Sequence, residues 1–143
     1  LWLSLNFAGE YPSSGKPVRF RWRNYVPMFP PYDYTDTVEK VRKKFLKVFS
    51  EEFTDKTLNR AVADRELIER KGNVYVLCKK RRGEASYNSS VDSVRDEGGG
   101  KFTVVIAVRM PPDGKKHFVD LPAEKNAAGE FVFTDYPYWE KSE

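Results

Sequence analysis

The order of hydrophobic periodicities constrains this chain most: two helical stretches are followed by segments that read only as strands. Val38, Val41, Phe45, Val48 and Phe49 recur at helical spacing, with Lys40, Lys43, Lys44 and Lys47 around the rest of the circumference. Asp36, with Glu39 three residues on, offers the carboxylate form of a capping box at the start of that helix. A second start at Thr54 leads into Leu58, Ala61 and Val62, a shorter amphipathic helix that ends before Glu66. From there the period changes to two. Leu67–Arg70 and Val74–Leu77 flank Lys71-Gly72-Asn73, a hairpin with glycine at its turn. Further strands are expected at Ser90–Arg95, Phe102–Met110, Lys116–Leu121 and Glu130–Asp135. They are separated by Gly98-Gly99-Gly100, Pro111-Pro112-Asp113-Gly114 and Asn126-Ala127-Ala128-Gly129, the spacing of a meander. Phe102–Val108 is apolar on both faces, so it is expected to be central, with helices on one side.

Ahead of the helices, Arg19-Phe20-Arg21-Trp22-Arg23 alternates charge and ring with period two. This predicts one strand from Val18 to Val26 with Arg19, Arg21 and Arg23 on a single wet face. Pro27, Pro30 and Pro31 then force an extended connection. The apolar Leu1–Ala8 stretch reads as the stump of a first helix, expected to be cut short at its start, since the chain opens on leucine and any targeting segment would precede it.

A length of 143 residues with 40% apolar side chains is enough for one core and too little for two independent ones, so a single domain over 1–143 is expected. No apolar run approaches the roughly 20 residues that span a bilayer. Cys78 stands alone, which excludes an internal disulfide framework and a cysteine-rich zinc site; a buried structural thiol is the simplest reading. The net charge of +4 conceals an asymmetry. Residues 1–82 hold 18 Lys/Arg against 10 Asp/Glu, and residues 83–143 hold 7 against 11. A basic half can meet nucleic acid or an anionic cell-wall polymer, but no nucleic-acid motif accompanies it, and nucleic acid is disfavoured.

Helices first and then four to six antiparallel strands is the order of the cystatin-like and NTF2-like α+β folds, in which a curved antiparallel sheet packs on N-terminal helices. Local phrasing adds to it: Tyr34-Thr35-Asp36-Thr37 entering a helix, Glu52-Phe53-Thr54 opening the next, Ile68-Glu69-Arg70-Lys71-Gly72-Asn73-Val74-Tyr75, and the ending Gly129–Pro137. Together these resemble secreted or lipid-anchored proteins of Gram-positive bacteria, in particular the family of DL-endopeptidase inhibitors that restrain cell-wall autolysins. The resemblance covers residues 18–137. It implies an extracytoplasmic location and an exposed loop, between two sheet strands, that enters the groove of an NlpC/P60-type cysteine peptidase. The best match to that loop is Asp96, Glu97, Gly98, Gly99, Gly100 and Lys101. The positive net charge departs from the acidic binder this would suggest.

Chemistry is hard to place. Ser-His-Asp or Cys-His catalysis needs a histidine beside the nucleophile, and the chain has only His117. Transition metals would want several His/Cys ligands; Asp92, Asp96 and Glu97 follow no calcium-loop spacing, and Asp64 with Glu66 reads as a solvated joint. The glycine triplet precedes a strand and so is no phosphate cradle. A non-enzymatic protein without cofactor or metal is therefore expected, and two surfaces remain for binding. One is the Arg19, Arg21, Arg23 face, with Arg81 and Arg82 elsewhere, suited to teichoic acid, phospholipid headgroups or an acidic protein patch. The other is the aromatic cluster of Tyr25, Phe29, Tyr32, Tyr34, Tyr136, Tyr138 and Trp139, whose simplest role is to cover the mouth of the sheet. Two further classes stay open: an NTF2-like small-molecule or enzymatic domain with an apolar pocket under the 37–49 helix, and a VirB8-like structural module of a secretion or conjugation apparatus that oligomerises through the same fold.

Overall fold

A computed structural model of the chain describes residues 18–27, 37–77, 88–109 and 114–136. The expected Leu1–Ala8 helix, Cys78, Arg81 and Arg82 lie outside the described residues. The protein is α+β, with two helices and two antiparallel sheets of four strands each. Its contacts gather in two compact units, Leu1–Lys47 with Thr54–Arg82 and Val48–Phe53 with Gly83–Glu143. The strands thus divide between two sheets where their order in the sequence predicts one.

In the first unit the order of strands is β1-β2-β4-β3, built from β1 (Val18–Phe20), β2 (Arg23–Pro27), β3 (Leu67–Arg70) and β4 (Asn73–Leu77). The expected single strand over 18–26 is a hairpin: Phe20 pairs with Arg23, and Arg21-Trp22 is the turn. Both turn residues have positive φ, 44° and 72°, the conformation of a two-residue type I′ turn. The second strand of that hairpin takes the free edge of β4, with Tyr25 opposite Leu77. That long-range pairing is why the strands fall into two sheets.

Helix α1 (Val38–Phe45) buries Val41 and Phe45, one helical turn apart. Its N-cap is Thr37, whose Oγ1 accepts from Lys40 N at 3.1 Å, and not the expected Asp36. A second capping group comes from far along the chain, since the Glu69 carboxylate accepts from Val38 N at 2.8 Å. The helix stops one turn sooner than its apolar stripe predicts, with Leu46 N donating to Arg42 O and Lys47 N to Lys44 O. Val48 is exposed, and Phe49 leaves the helical stripe altogether.

Helix α2 (Glu51–Ala63) starts a turn before the expected Thr54. Ser50 Oγ accepts from Phe53 N, and Glu51 and Glu52 lie in the first turn, where carboxylates complement the helix dipole. Thr54, Thr57, Leu58 and Ala61 form its buried stripe, whereas Val62 is exposed. The division between units falls inside this helix, after Phe53. Thr54 is fully buried and its Oγ1 has no hydrogen-bond partner, a local cost of about 1–3 kcal/mol. The helix ends in a Schellman motif: Arg65 N donates to Val62 O, Glu66 N to Ala61 O, and Arg65 takes the left-handed position with φ 55°.

The second unit is a meander, β5 (Asn88–Gly98), β6 (Lys101–Arg109), β7 (Lys116–Lys125) and β8 (Phe131–Phe133), paired in chain order. As expected, β6 is interior to the sheet and buries residues on both faces, Val104 and Val108 on one, Val105 and Ala107 on the other. Leu121, Ala123 and Val132 are buried beside them. Residues 48–50 join the far edge: Phe133 N donates to Val48 O and Ser50 N to Phe133 O, so Phe49 forms a parallel bridge to Phe133. This backbone pairing is what takes Phe49 out of the helix. The Asn126–Gly129 connection closes on itself, the Asn126 side chain accepting from Ala128 N and Glu130 N.

Candidate functional site

Two hairpin tips, one in each unit, carry the exposed polar and aromatic groups best suited to meeting a partner. In the second unit, β5 and β6 stay paired to Gly98 and Lys101, so Gly99-Gly100 is a two-residue turn. All three glycines have positive φ, a conformation that glycine adopts without a Cβ clash. Asp96 Oδ1 accepts from Gly98 N at 2.9 Å, an Asx turn that fixes the approach to the tip. The six expected residues, Asp96 to Lys101, thus form a short closed hairpin end and not a long loop. Glu97 is held from below by Arg95 Nε at 3.4 Å, and Arg95 also reaches across β6 to Asp120 at 3.0 Å. The hydrogen bond from Arg95 to Asp120 and the opposite charge of that carboxylate raise the guanidinium pKa further above its ordinary value.

The strand leading to this tip is unusual. Every described side chain of β5, from Ser90 to Gly98, is exposed, including Val91 and Val94. Among the described residues no strand pairs with its outer edge. Register shifts after Val91 and after Asp96 bulge it, and the charged Asp92, Arg95, Asp96 and Glu97 line it, the devices by which an edge strand resists indiscriminate pairing.

In the first unit the β1–β2 tip replaces the expected three-arginine face. Arg19 lies opposite Asn24, while Arg23 lies opposite Phe20, so Arg19 and Arg23 point to opposite faces of the sheet and Arg21 sits in the turn. The alternation that suggested a continuous strand continues through the turn because Arg-Trp carries no glycine or asparagine to mark it. No residue of favoured left-handed conformation marks this turn in the sequence. Trp22 is 88% exposed, and the Arg19 guanidinium stands 5.5 Å from its ring centroid. The Arg23 Nη1 donates to Asp64 O at 3.1 Å. Behind the tip, Phe20 packs on Tyr25 and Tyr75, with Arg70 4.4 Å above the Phe20 ring, and the Tyr25 hydroxyl donates to Arg65 O.

Of the aromatic cluster, Tyr136 is placed with its ring edge-on to Phe49 at 6.2 Å, in a group that also holds Phe53 and Phe133. Phe29, Tyr32, Tyr34, Tyr138 and Trp139 lie outside the described residues. Phe49, Phe53 and Phe133 carry no sequence signal that groups them with Tyr136, and Phe49, four residues after Phe45, reads as part of the helical stripe. His117 is exposed on β7. Among the described residues no three His, Cys, Asp or Glu side chains gather as a metal would require, and no helix is long and apolar enough to cross a membrane.

Charge separates with the units. Glu51 and Glu52 belong to the second unit, which leaves the first with 18 Lys/Arg against 8 Asp/Glu and gives the second 7 against 13. The units are thus +10 and −6. No protein-family model matches the sequence, and no curated protein matches it either.

Proposed function

We propose that this chain is a non-catalytic extracytoplasmic binding protein of cystatin-like or NTF2-like descent, and that it inhibits cell-wall DL-endopeptidases of the NlpC/P60 type by inserting the β5–β6 hairpin into the peptidase groove. The observation that carries the reading is the exposure of β5 along its described side chains up to an acidic, glycine-turned tip. Lys101 is still paired with Glu124 of β7, so the Gly99-Gly100 turn is the part of the hairpin that extends past the sheet and would lead the way into a cleft. The outer edge of β5, unpaired among the described residues, can add main-chain hydrogen bonds to a strand of the groove. The unit bearing the hairpin has a charge of −6, which removes the conflict between the chain's positive total and an acidic binding element. The helix-before-strand order from Val38 onward supports the fold part of the proposal.

The test is titration of the protein into a purified NlpC/P60 endopeptidase acting on isolated Gram-positive cell wall. Saturable inhibition near one-to-one stoichiometry is expected. Asp96→Asn with Glu97→Gln keeps side chains able to accept the turn's hydrogen bond while removing both charges; it should weaken inhibition about tenfold without altering the far-ultraviolet circular dichroism. Absence of inhibition across several such enzymes would remove the proposed activity, and full inhibition by the double variant would move the contact away from the tip.

A further inference from the structure

The Arg21-Trp22 turn is costly in a way that the fold does not need. A left-handed conformation costs an ordinary L-residue roughly 1–2 kcal/mol, and two-residue type I′ turns are normally Asn-Gly for that reason. Here both central positions carry large side chains, and the bulkier one is 88% exposed, so burial returns nothing for its presence. A strained, exposed residue that packing does not explain points to a contact outside the chain.

The chemistry around the tip defines that contact. From Tyr11 to Tyr32 the sequence contains Lys16, Arg19, Arg21 and Arg23 and no Asp or Glu, within a unit of charge +10. Beyond that span, Asp64 and Arg65 stand beside Arg23 and Tyr25 and offset one another in charge. Phe20 and Tyr25 are drawn into the sheet, which leaves the indole as the outermost ring of the hairpin. Among the described residues the tip presents one exposed tryptophan with arginines behind it and no row of rings on which successive bases could stack. It matches a deformable anionic surface, in which an indole settles at headgroup depth while guanidinium groups meet phosphates.

We infer that the β1–β2 tip is a membrane-surface anchor: Trp22 enters the headgroup layer of an anionic phospholipid bilayer, and Arg19, Arg21 and Arg23 engage the lipid phosphates. The contact is peripheral and salt-sensitive. It uses a different unit from the inhibitory hairpin, so either reading can fail alone.

The experiment is co-sedimentation of the full chain with vesicles of phosphatidylcholine alone or with one third phosphatidylglycerol. Binding is expected to the anionic vesicles only. Trp22→Ala should weaken it about tenfold, and Arg21→Gln about fivefold, the value of one cation near such a surface. The decisive variant is Arg21→Asn with Trp22→Gly, an ideal type I′ turn. It should melt at higher temperature than the parent and bind the vesicles weakest of all, so loss of binding cannot be blamed on misfolding. Anionic-vesicle binding by this variant equal to the parent's would overturn the inference, as would parental binding to neutral vesicles alone or to none. Trp22-dependent binding of a single-stranded oligonucleotide without vesicle binding would assign the tip to nucleic acid and overturn it equally.

Discussion

The two units solve their turns differently. In the second, every described left-handed position is glycine: Gly98, Gly99, Gly100, Gly114 and Gly129. In the first, the described left-handed positions are Arg21, Trp22, Arg65 and Lys71, with Gly72 the exception. Glycine turns minimise native strain. Among its described residues the first unit instead carries strain at four positions, three of them cationic and all exposed. The described turns of the basic unit thus hold large side chains in left-handed backbone at a local cost, whereas the acidic unit's turns are built from glycine, which adopts that conformation freely. Function should therefore be sought at turn side chains in the first unit, and in the second at the shape of the hairpin that the glycines permit.

The largest effect tests whether the first unit can carry that strain, which depends on its core. Phe45 is 1% exposed on α1. Phe45→Ala should lower unfolding free energy by about 3–5 kcal/mol, read as a fall in the denaturation midpoint at unchanged slope. Amides of Val74 and Val76, buried in the same unit, should lose hydrogen-exchange protection. A loss under about 1 kcal/mol would mean that Phe45 is not a core anchor, and the comparison would have to be rebuilt on a different centre.

Next in size is a pair of substitutions with opposite signs. Gly100→Val forces a β-branched residue to φ 77° in open space, so backbone strain alone should cost about 1–2 kcal/mol. Lys71→Asn, at φ 48° beside Gly72, converts a Lys-Gly turn into Asn-Gly and should stabilise by roughly 0.5–1 kcal/mol. Thermal melts of the two variants decide the point. If Lys71→Asn destabilises, lysine makes a contact that offsets its strain, and the contrast between the units narrows to the β1–β2 tip.

These positions also show what was legible in the sequence. Both helices and the strands from Leu67 onward follow from period and turn chemistry, because Gly72, the Gly98–Gly100 triplet and Asn126–Gly129 announce their turns. The Arg21-Trp22 turn was invisible, since neither residue favours left-handed backbone and the alternation on either side continues through them. Phe49 was misassigned because an apolar residue four positions after Phe45 fits a helix as well as a strand. Ser50 followed by two glutamates was the available sign that a new helix starts there. The partition into two sheets rests on Tyr25 meeting Leu77, a pairing between residues far apart in the chain that local periodicity does not encode. Of the candidate site, the Asp96–Lys101 hairpin was legible because acidic residues before a glycine triplet suggest a turn. Trp22 was read as a strand residue, and its place at the tip emerged only from the fold.

The smallest effect compares the ion pairs that tie elements together within each unit. In the first, Arg42 of α1 grips Asp55 of α2 with Nε to Oδ1 at 2.7 Å and Nη2 to Oδ2 at 3.2 Å, a bidentate geometry on partly covered side chains. In the second, Arg95 meets Asp120 with both side chains more than half exposed, where such pairs contribute little. The Arg42 hydrogen bond, helped by its charge and opposed by partial desolvation, holds the Asp55 carboxyl below its ordinary value of 3.8. A carboxyl depressed in the folded state contributes stability that is present above the unfolded value and is lost as pH falls through the folded one. The stability difference between the parent and Asp55→Asn should therefore be constant near neutrality and shrink as pH drops below about 4, with added salt reducing it at every pH. Asp120→Asn should change the denaturation midpoint less than Asp55→Asn at neutral pH. If the two variants lose equally, or if the Asp55 difference persists undiminished into acid, the bidentate contact is not what holds α1 to α2, and the junction rests on the apolar stripes around Phe45 and Leu58.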